Sequence, residues 1–122
     1  MIIDNIRQYS FAKATYFDTY VCIEFNSDLK EVLVEQAQLL LKDMAAYYGG
    51  QKFVIVSQRG LETNLDPEIL KILNLSKVEG LAIVSPDAEE RRKILIKEQS
   101  LFEGSFAYFE TYEAAREWAL TF

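Results

Sequence analysis

The sequence predicts a single mixed α/β domain, α+β-like in its first part, built on a mixed β-sheet of about five strands. Three observations carry this. The runs Phe53-Val54-Ile55-Val56 and Leu81-Ala82-Ile83-Val84 are apolar at every position, as in strands covered on both faces. Residues 12–17 instead alternate, and Tyr20 to Phe25 is rich in aromatic and β-branched residues, as in an antiparallel pair with at least one strand facing the core. From residue 28 onward, helix-period and strand-period segments take turns, which argues for parallel strands joined by right-handed crossovers. The expected order is a hairpin followed by αβαβαβα.

The first hairpin comes from Ala12, Ala14 and Tyr16 alternating with Lys13, Thr15 and Phe17, an Asp18-Thr19 turn, and the run Tyr20-Val21-Cys22-Ile23-Glu24-Phe25. Residues 2–9 offer a further strand. A first long helix is expected over 28–48. Ser27 is placed to cap it, Asp28 and Glu31 suit its positive end, and Leu33, Ala37, Leu40, Leu41, Met44 and Tyr48 form one apolar stripe. Gly49-Gly50 ends it, because glycine takes the left-handed terminal conformation without strain.

The strand over 52–57 is the expected centre of the sheet. Asp66-Pro67 then opens a short, buried second helix carrying Ile69, Leu70, Ile72 and Leu73. Gly80 reads as punctuation before the strand over 81–84. Ser85-Pro86-Asp87 repeats the entry chemistry for a third helix reaching about Gln99, with Ala88, Arg92, Leu95 and Phe102 on its inward side. Ser105-Phe106-Ala107-Tyr108-Phe109 is the last strand. Thr111 caps a final helix whose Ala115, Trp118, Ala119 and Phe122 fall on one face, so the C-terminal segment is expected to be docked.

Composition narrows the functions. The 122 residues suit one domain that buries roughly two-thirds of its unfolded surface. The net charge of −6 leaves no basic footprint for phosphates or anionic lipid, so no nucleic acid is expected as a partner. No apolar run nears the ~18 residues that span a bilayer. No stable membrane insertion and a cytoplasmic location are therefore expected. The single cysteine, Cys22, lies in an apolar run and reads as a small buried hydrophobe. The chain has no histidine. That removes the usual general base near neutrality, the Ser-His-Asp and Cys-His arrangements, and any conventional zinc site.

No glycine-rich phosphate loop follows any strand, and the isolated Gly60 reads as a turn. Ligands of open α/β sheets sit beyond the carboxyl ends of parallel strands. There the chain offers Ser57, Gln58, Arg59 and Ser85, with Thr63 in the loop that follows. Ser57, Arg59, Thr63 and Ser85 are the candidate ligand or interaction residues. Arg59 can meet an anion or simply pair with Glu62. The run Glu89-Glu90-Arg91-Arg92-Lys93 reads as a solvated helix face with internal ion pairs. Tyr47 and Tyr48 offer either an aromatic interface or helix-end packing.

The segment Gly80-Leu81-Ala82-Ile83-Val84-Ser85, a charged helix, and then Phe106-Ala107-Tyr108-Phe109-Glu110-Thr111-Tyr112-Glu113-Ala114-Ala115-Arg116-Glu117-Trp118-Ala119-Leu120 resembles the bacterial STAS-like and SpoIIAA-like proteins. Those commonly close with an aromatic-ended strand, a polar cap, and a Glu-Ala helix ending in a Trp-Leu type pair. The likeness covers roughly residues 20–122 in organisation, with its specific residues concentrated in 106–120. It implies a SpoIIAA/STAS-like sheet with helices, often dimeric, working in regulation, protein interaction or small-ligand binding. Phospho-regulated members carry an Asp-Ser-Ser-Gly type segment at a helix start. Here the region reads Glu62-Thr63-Asn64-Leu65-Asp66-Pro67, without that serine and with Thr63 too early to match.

The reading is a non-enzymatic STAS-like domain, without catalytic residues, cofactor or metal, that acts by protein–protein contact. A homodimer and a regulatory protein partner are expected. The alternative is a binder of a small apolar or amphipathic, lipid-like molecule between the N-terminal hairpin and the helices. It is motivated by the many aromatics Tyr9, Phe11, Tyr16 and Phe17.

Overall fold

The computed structural model describes residues 5–26, 28–58, 64–65, 67–85, 96, 100, 102 and 104–122. Six strands form one mixed sheet: β1 (Ile6–Gln8), β2 (Ala12–Tyr16), β3 (Tyr20–Phe25), β5 (Phe53–Gln58), β7 (Val78–Val84) and β8 (Ser105–Phe109). They lie side by side in chain order. β1, β2 and β3 run antiparallel, while β3, β5, β7 and β8 run parallel. A separate two-stranded pair joins β4 (Glu31–Val32) to β6 (Asn64–Leu65). Two α-helices are described from end to end, α1 (Val34–Tyr48) and α2 (Tyr112–Ala119), together with a 3-10 helix over Pro67–Lys71.

The mixed α/β class holds, and so does the parallel pairing of the last three strands. The sheet has six strands rather than about five. The addition is β1, whose three residues are all exposed and show no apolar alternation.

The period-two rule sorts the core. Val21, Ile23, Phe53, Ile55, Leu81 and Ile83 point to one face, where Leu40, Met44 and Tyr48 of α1 cover them. Tyr20, Cys22, Val54, Val56, Ala82 and Val84 point to the other, under Ala115 and Ala119 of α2. The central strand is thus sandwiched between helices, as its unbroken apolar run requires. The hairpin keeps an open face, where Lys13 and Glu24 pair across β2 and β3 at 3.3 Å. The Asp18-Thr19 turn joins those two strands as expected.

Three boundaries differ from the sequence expectation. α1 begins at Val34 rather than 28, because Glu31 and Val32 pair with Asn64 and Leu65, and Val32 is buried against Ala37 and Ile69. Leu33 is the N-cap, and its backbone N–H donates to the Gln36 side chain at 2.9 Å. Leu33 itself is exposed, outside the apolar stripe. The expected second helix is a five-residue 3-10 segment that buries Ile69 and leaves Ile72 exposed. β7 starts at Val78, so Gly80 lies within a strand.

A Cβ at Gly80 would sit 3.0 Å from Phe122 Cζ and 3.2 Å from Trp118 Cη2. The glycine lets the aromatic end of α2 lie directly on the strand. Glu79 bulges here: Phe53 pairs with Val78, and Val54 with Gly80. At the end of α1, Gly49 has φ of +59° and donates its N–H to the Ala45 carbonyl at 3.0 Å, closing the helix. Thr111 caps α2, its hydroxyl accepting from the Ala114 N–H at 3.3 Å. Ser27, Asp66 and most of the expected third helix (86–99), with Ala88, Arg92 and Leu95, lie outside the described residues. Ile96 and Ser100 are helical, and Phe102 is buried in the α1-side core.

Candidate functional site

Parallel strands laid down in one direction leave no point where the strand order reverses. Such a reversal is what opens the usual crevice beyond the carboxyl ends of an α/β sheet. The four strands β3, β5, β7 and β8 follow in sequence without one. Accordingly, Ser57 and Ser85 are not displayed at a surface cleft. Ser57, paired with Ile83, is 4 % exposed, and Ser85 is fully buried. The Ser85 N–H donates to the Phe109 carbonyl at 3.0 Å, extending the β7–β8 pairing. Arg59, Thr63, Gly60, Glu62 and the 89–93 run lie outside the described residues.

Ser57 instead faces a cavity under α1. The cavity measures about 80 Å³ and is walled by Ile23 and Phe25 of β3, Ala37, Leu40, Leu41 and Met44 of α1, Ile55 of β5 and Leu81 of β7. Val32, Leu73 and Leu75 also line it with Ser57, whose hydroxyl is the single polar side-chain group of the lining among the described residues. Half-buried Phe25, Leu41, Leu73 and Leu75 stand at its edge. A buried water needs two to four polar partners, which the described residues of this lining do not offer, so an apolar group suits it better.

The aromatics Tyr9, Phe11, Tyr16 and Phe17 do not form this cavity. Phe17 stacks on Tyr20 with ring centroids 4.5 Å apart, and Tyr9 packs on Phe11 at 5.4 Å. Tyr16 stacks on Tyr47 at 4.3 Å. Tyr48 is the buried member of the α1 tyrosine pair, and Tyr47 is exposed. Ala37, Leu40, Leu41, Met44, Ile55 and Leu81 were legible as core residues, Val32 and Leu75 were not, and nothing in a sequence marks where side chains fall short of filling a space.

Cys22 is buried on the opposite face of the sheet. Burial pushes its thiol pKa up. The Gln58 side-chain N–H donates to its sulfur at 3.2 Å and pulls the other way, but burial prevails. The neutral thiol is therefore favoured, which is the behaviour of a small core hydrophobe. Among the described residues no group of three or more His, Cys, Asp or Glu is placed to hold a metal ion. None of the described helices is long and apolar enough to cross a membrane.

Fold and cavity together define the class: a mixed α/β domain with an apolar cleft between its first helix and its sheet. In comparisons with known proteins the chain matches no family model, no curated protein and no solved structure.

Proposed function

We propose that this chain is a non-enzymatic binding domain that takes a short apolar group into the cavity between α1 and the sheet. The observation that carries the reading is the apolar lining, broken among the described residues only by Ser57. An engineered apolar cavity of about 150 Å³ stays dry and takes benzene or xenon. At about 80 Å³ the present one suits a branched alkyl group or the tip of an acyl chain, with the rest of the ligand lying over the half-buried rim. The lack of histidine and of a phosphate loop, and the likeness of residues 106–120 to STAS-like domains, support binding rather than catalysis.

Xenon tests this directly. Under xenon pressure, the methyl resonances of Met44, Leu40 and Ile55 are expected to shift saturably, while those of Ala14 stay still. Ala37→Leu, which places a larger side chain in the space, is expected to abolish the response. Unmoved methyl signals in the wild-type protein would sink the proposal.

A second reading, regulation through protein contact as a homodimer, is favoured by the outer edge of β1. Asn5 and Tyr9 direct their backbone groups to β2, through bonds to Tyr16 and Ala12. By alternation, Ile6 and Gln8 direct theirs away from it. Such an edge is a template for pairing with a second copy or with a regulatory partner strand. Size-exclusion with light scattering decides the first case; a monomer at micromolar concentration counts against the homodimer.

A further inference from the structure

Ser57 is 4 % exposed, and no hydrogen bond joins its hydroxyl to any described residue. That hydroxyl lines the apolar cavity under α1. An unmet donor at such burial is costly unless a further group supplies an acceptor.

The fold gives the hydroxyl no partner of its own. Alternation turns Phe53, Ile55 and Ser57 of β5 toward α1, and Val54 and Val56 toward α2. The Cα partners of Ser57 are Ile23 on β3 and Ile83 on β7, whose side chains carry no polar atom. β5 is paired on both sides, so its backbone groups serve the two ladders. The neighbouring amide, Gln58, turns to the opposite face, where its N–H donates to Cys22 Sγ at 3.2 Å. Across the cavity, α1 presents Ala37, Leu40, Leu41 and Met44, and a thioether is only a weak acceptor.

These surroundings sort the possible occupants. A hydrocarbon leaves the hydroxyl unmet. An ion meets no opposite charge, because none of the described lining residues is charged. An alcohol or a primary amide brings donors of its own, and a single hydroxyl cannot satisfy them and its own proton together. A carbonyl oxygen brings acceptor sites alone, so one bond from Ser57 leaves no donor unmet.

On the reading of this cavity as a binding site, we propose that its occupant is a neutral carbonyl compound with a short branched alkyl end. The carbonyl oxygen accepts from the Ser57 hydroxyl. The alkyl end lies among Leu40, Met44, Ile55 and Leu81, and the remainder rests on the half-buried rim.

The probe is methyl isopropyl ketone, titrated into the isotope-labelled chain and followed by NMR through the Met44 and Ile55 methyl signals. Its counterparts are the hydrocarbon in which a terminal methylene replaces the oxygen, and isobutyrate, in which a charged oxygen replaces a methyl. Ketone and hydrocarbon are expected to shift these signals saturably, and isobutyrate to bind at least about tenfold more weakly than the ketone. Ser57→Ala removes the hydroxyl with little change of shape. It is expected to weaken ketone binding about fivefold to tenfold and to leave the hydrocarbon bound as tightly or more tightly. In the wild-type protein, the bound ketone is expected to absorb in the infrared below its carbonyl frequency in alkane solvent, because hydrogen bonding lowers that frequency. An alkane-like frequency, or equal ketone affinity in wild type and Ser57→Ala, overturns the proposal, while saturable hydrocarbon binding still upholds the cavity. Silent methyl signals toward ketone, hydrocarbon and xenon alike overturn both.

Discussion

The Tyr48 hydroxyl lies 2.6 Å from the Tyr20 carbonyl oxygen and 2.8 Å from that of Phe17, so the last residue of α1 holds both sides of the β2–β3 turn. The same turn is closed by the Phe17 N–H donating to the Tyr20 carbonyl at 2.8 Å. A helix and a hairpin are thereby locked by one phenol, and the Tyr48 ring also stacks on Phe53 of the central strand at 4.8 Å. Tyr48→Phe keeps the stack and removes the donor from largely buried carbonyls. The expected loss is about 1–3 kcal/mol, read as a lower urea midpoint at unchanged slope.

Gly80 carries the aromatic end of α2. Gly80→Val would push a branched side chain against Phe122 and Trp118, and overpacking of this kind costs about 1–3 kcal/mol. Trp118 is the single tryptophan of the chain. Its emission should move to longer wavelength in the variant as α2 lifts from β7. An unshifted spectrum with unchanged stability would show that the ring contacts do not constrain this position. Gly80→Ala should be milder, because the exposed Phe122 ring can give by a few tenths of an ångström.

Alkaline pH should unfold the protein through its tyrosines. Tyr9, Tyr16, Tyr48 and Tyr112 all have pKa values raised above the ordinary value of 10.0, in each case first by burial. For Tyr112, the next contribution is its hydroxyl contact with Tyr20 at 3.1 Å. A raised value means the folded state holds its protons longer than the unfolded chain does. The stabilisation is therefore complete below pH 10 and is lost as pH climbs above it toward the folded values. Stability should be insensitive to these groups up to about pH 10 and fall beyond it. The tyrosinate absorbance of these four should then appear in step with loss of the circular dichroism signal. Independent, early titration of Tyr9, Tyr16, Tyr48 and Tyr112, with the circular dichroism signal intact, would contradict this.

The Thr111 cap offers a smaller, local test. Its hydroxyl meets one free N–H at the start of α2, so Thr111→Ala should cost about 0.5–2 kcal/mol. Hydrogen exchange should speed up in the first turn of α2 and leave β5 unaffected. Equal acceleration throughout the sheet would mean that the cap acts on the whole domain.

How much of this was legible beforehand depended on the range of the forces involved. β5 and β8 could be read directly, because burial on both faces, or an aromatic-rich run ending at a capped helix, is written in consecutive residues. The start of α1 could not. Residues 28–33 carry good helix-entry chemistry, but Val32 is drawn away by Ile69 and by the backbone of β6, and no local pattern reports those partners. Gly80 was misplaced for a related reason: a glycine at a break and one beneath an aromatic ring look alike in sequence. At the candidate sites, Ser57 was singled out for its place at a strand end, yet it faces the interior. The pairing of Tyr9 with Asp43, 34 positions apart, exists only once α1 is laid across the hairpin.

The unbroken order of the six strands bears on how the chain is made. Each new strand of the main sheet joins beside the one before it, and none has to wedge between two already paired. A chain emerging from the ribosome at about 5–20 residues per second can add one strand at a time to a growing edge. Until β8 arrives, β7 presents an open, apolar border of the kind that invites pairing with a neighbouring chain. The vulnerable interval in the life of this protein is thus the synthesis of residues 85–104. Slowing translation there should raise aggregation more than slowing it over residues 26–52.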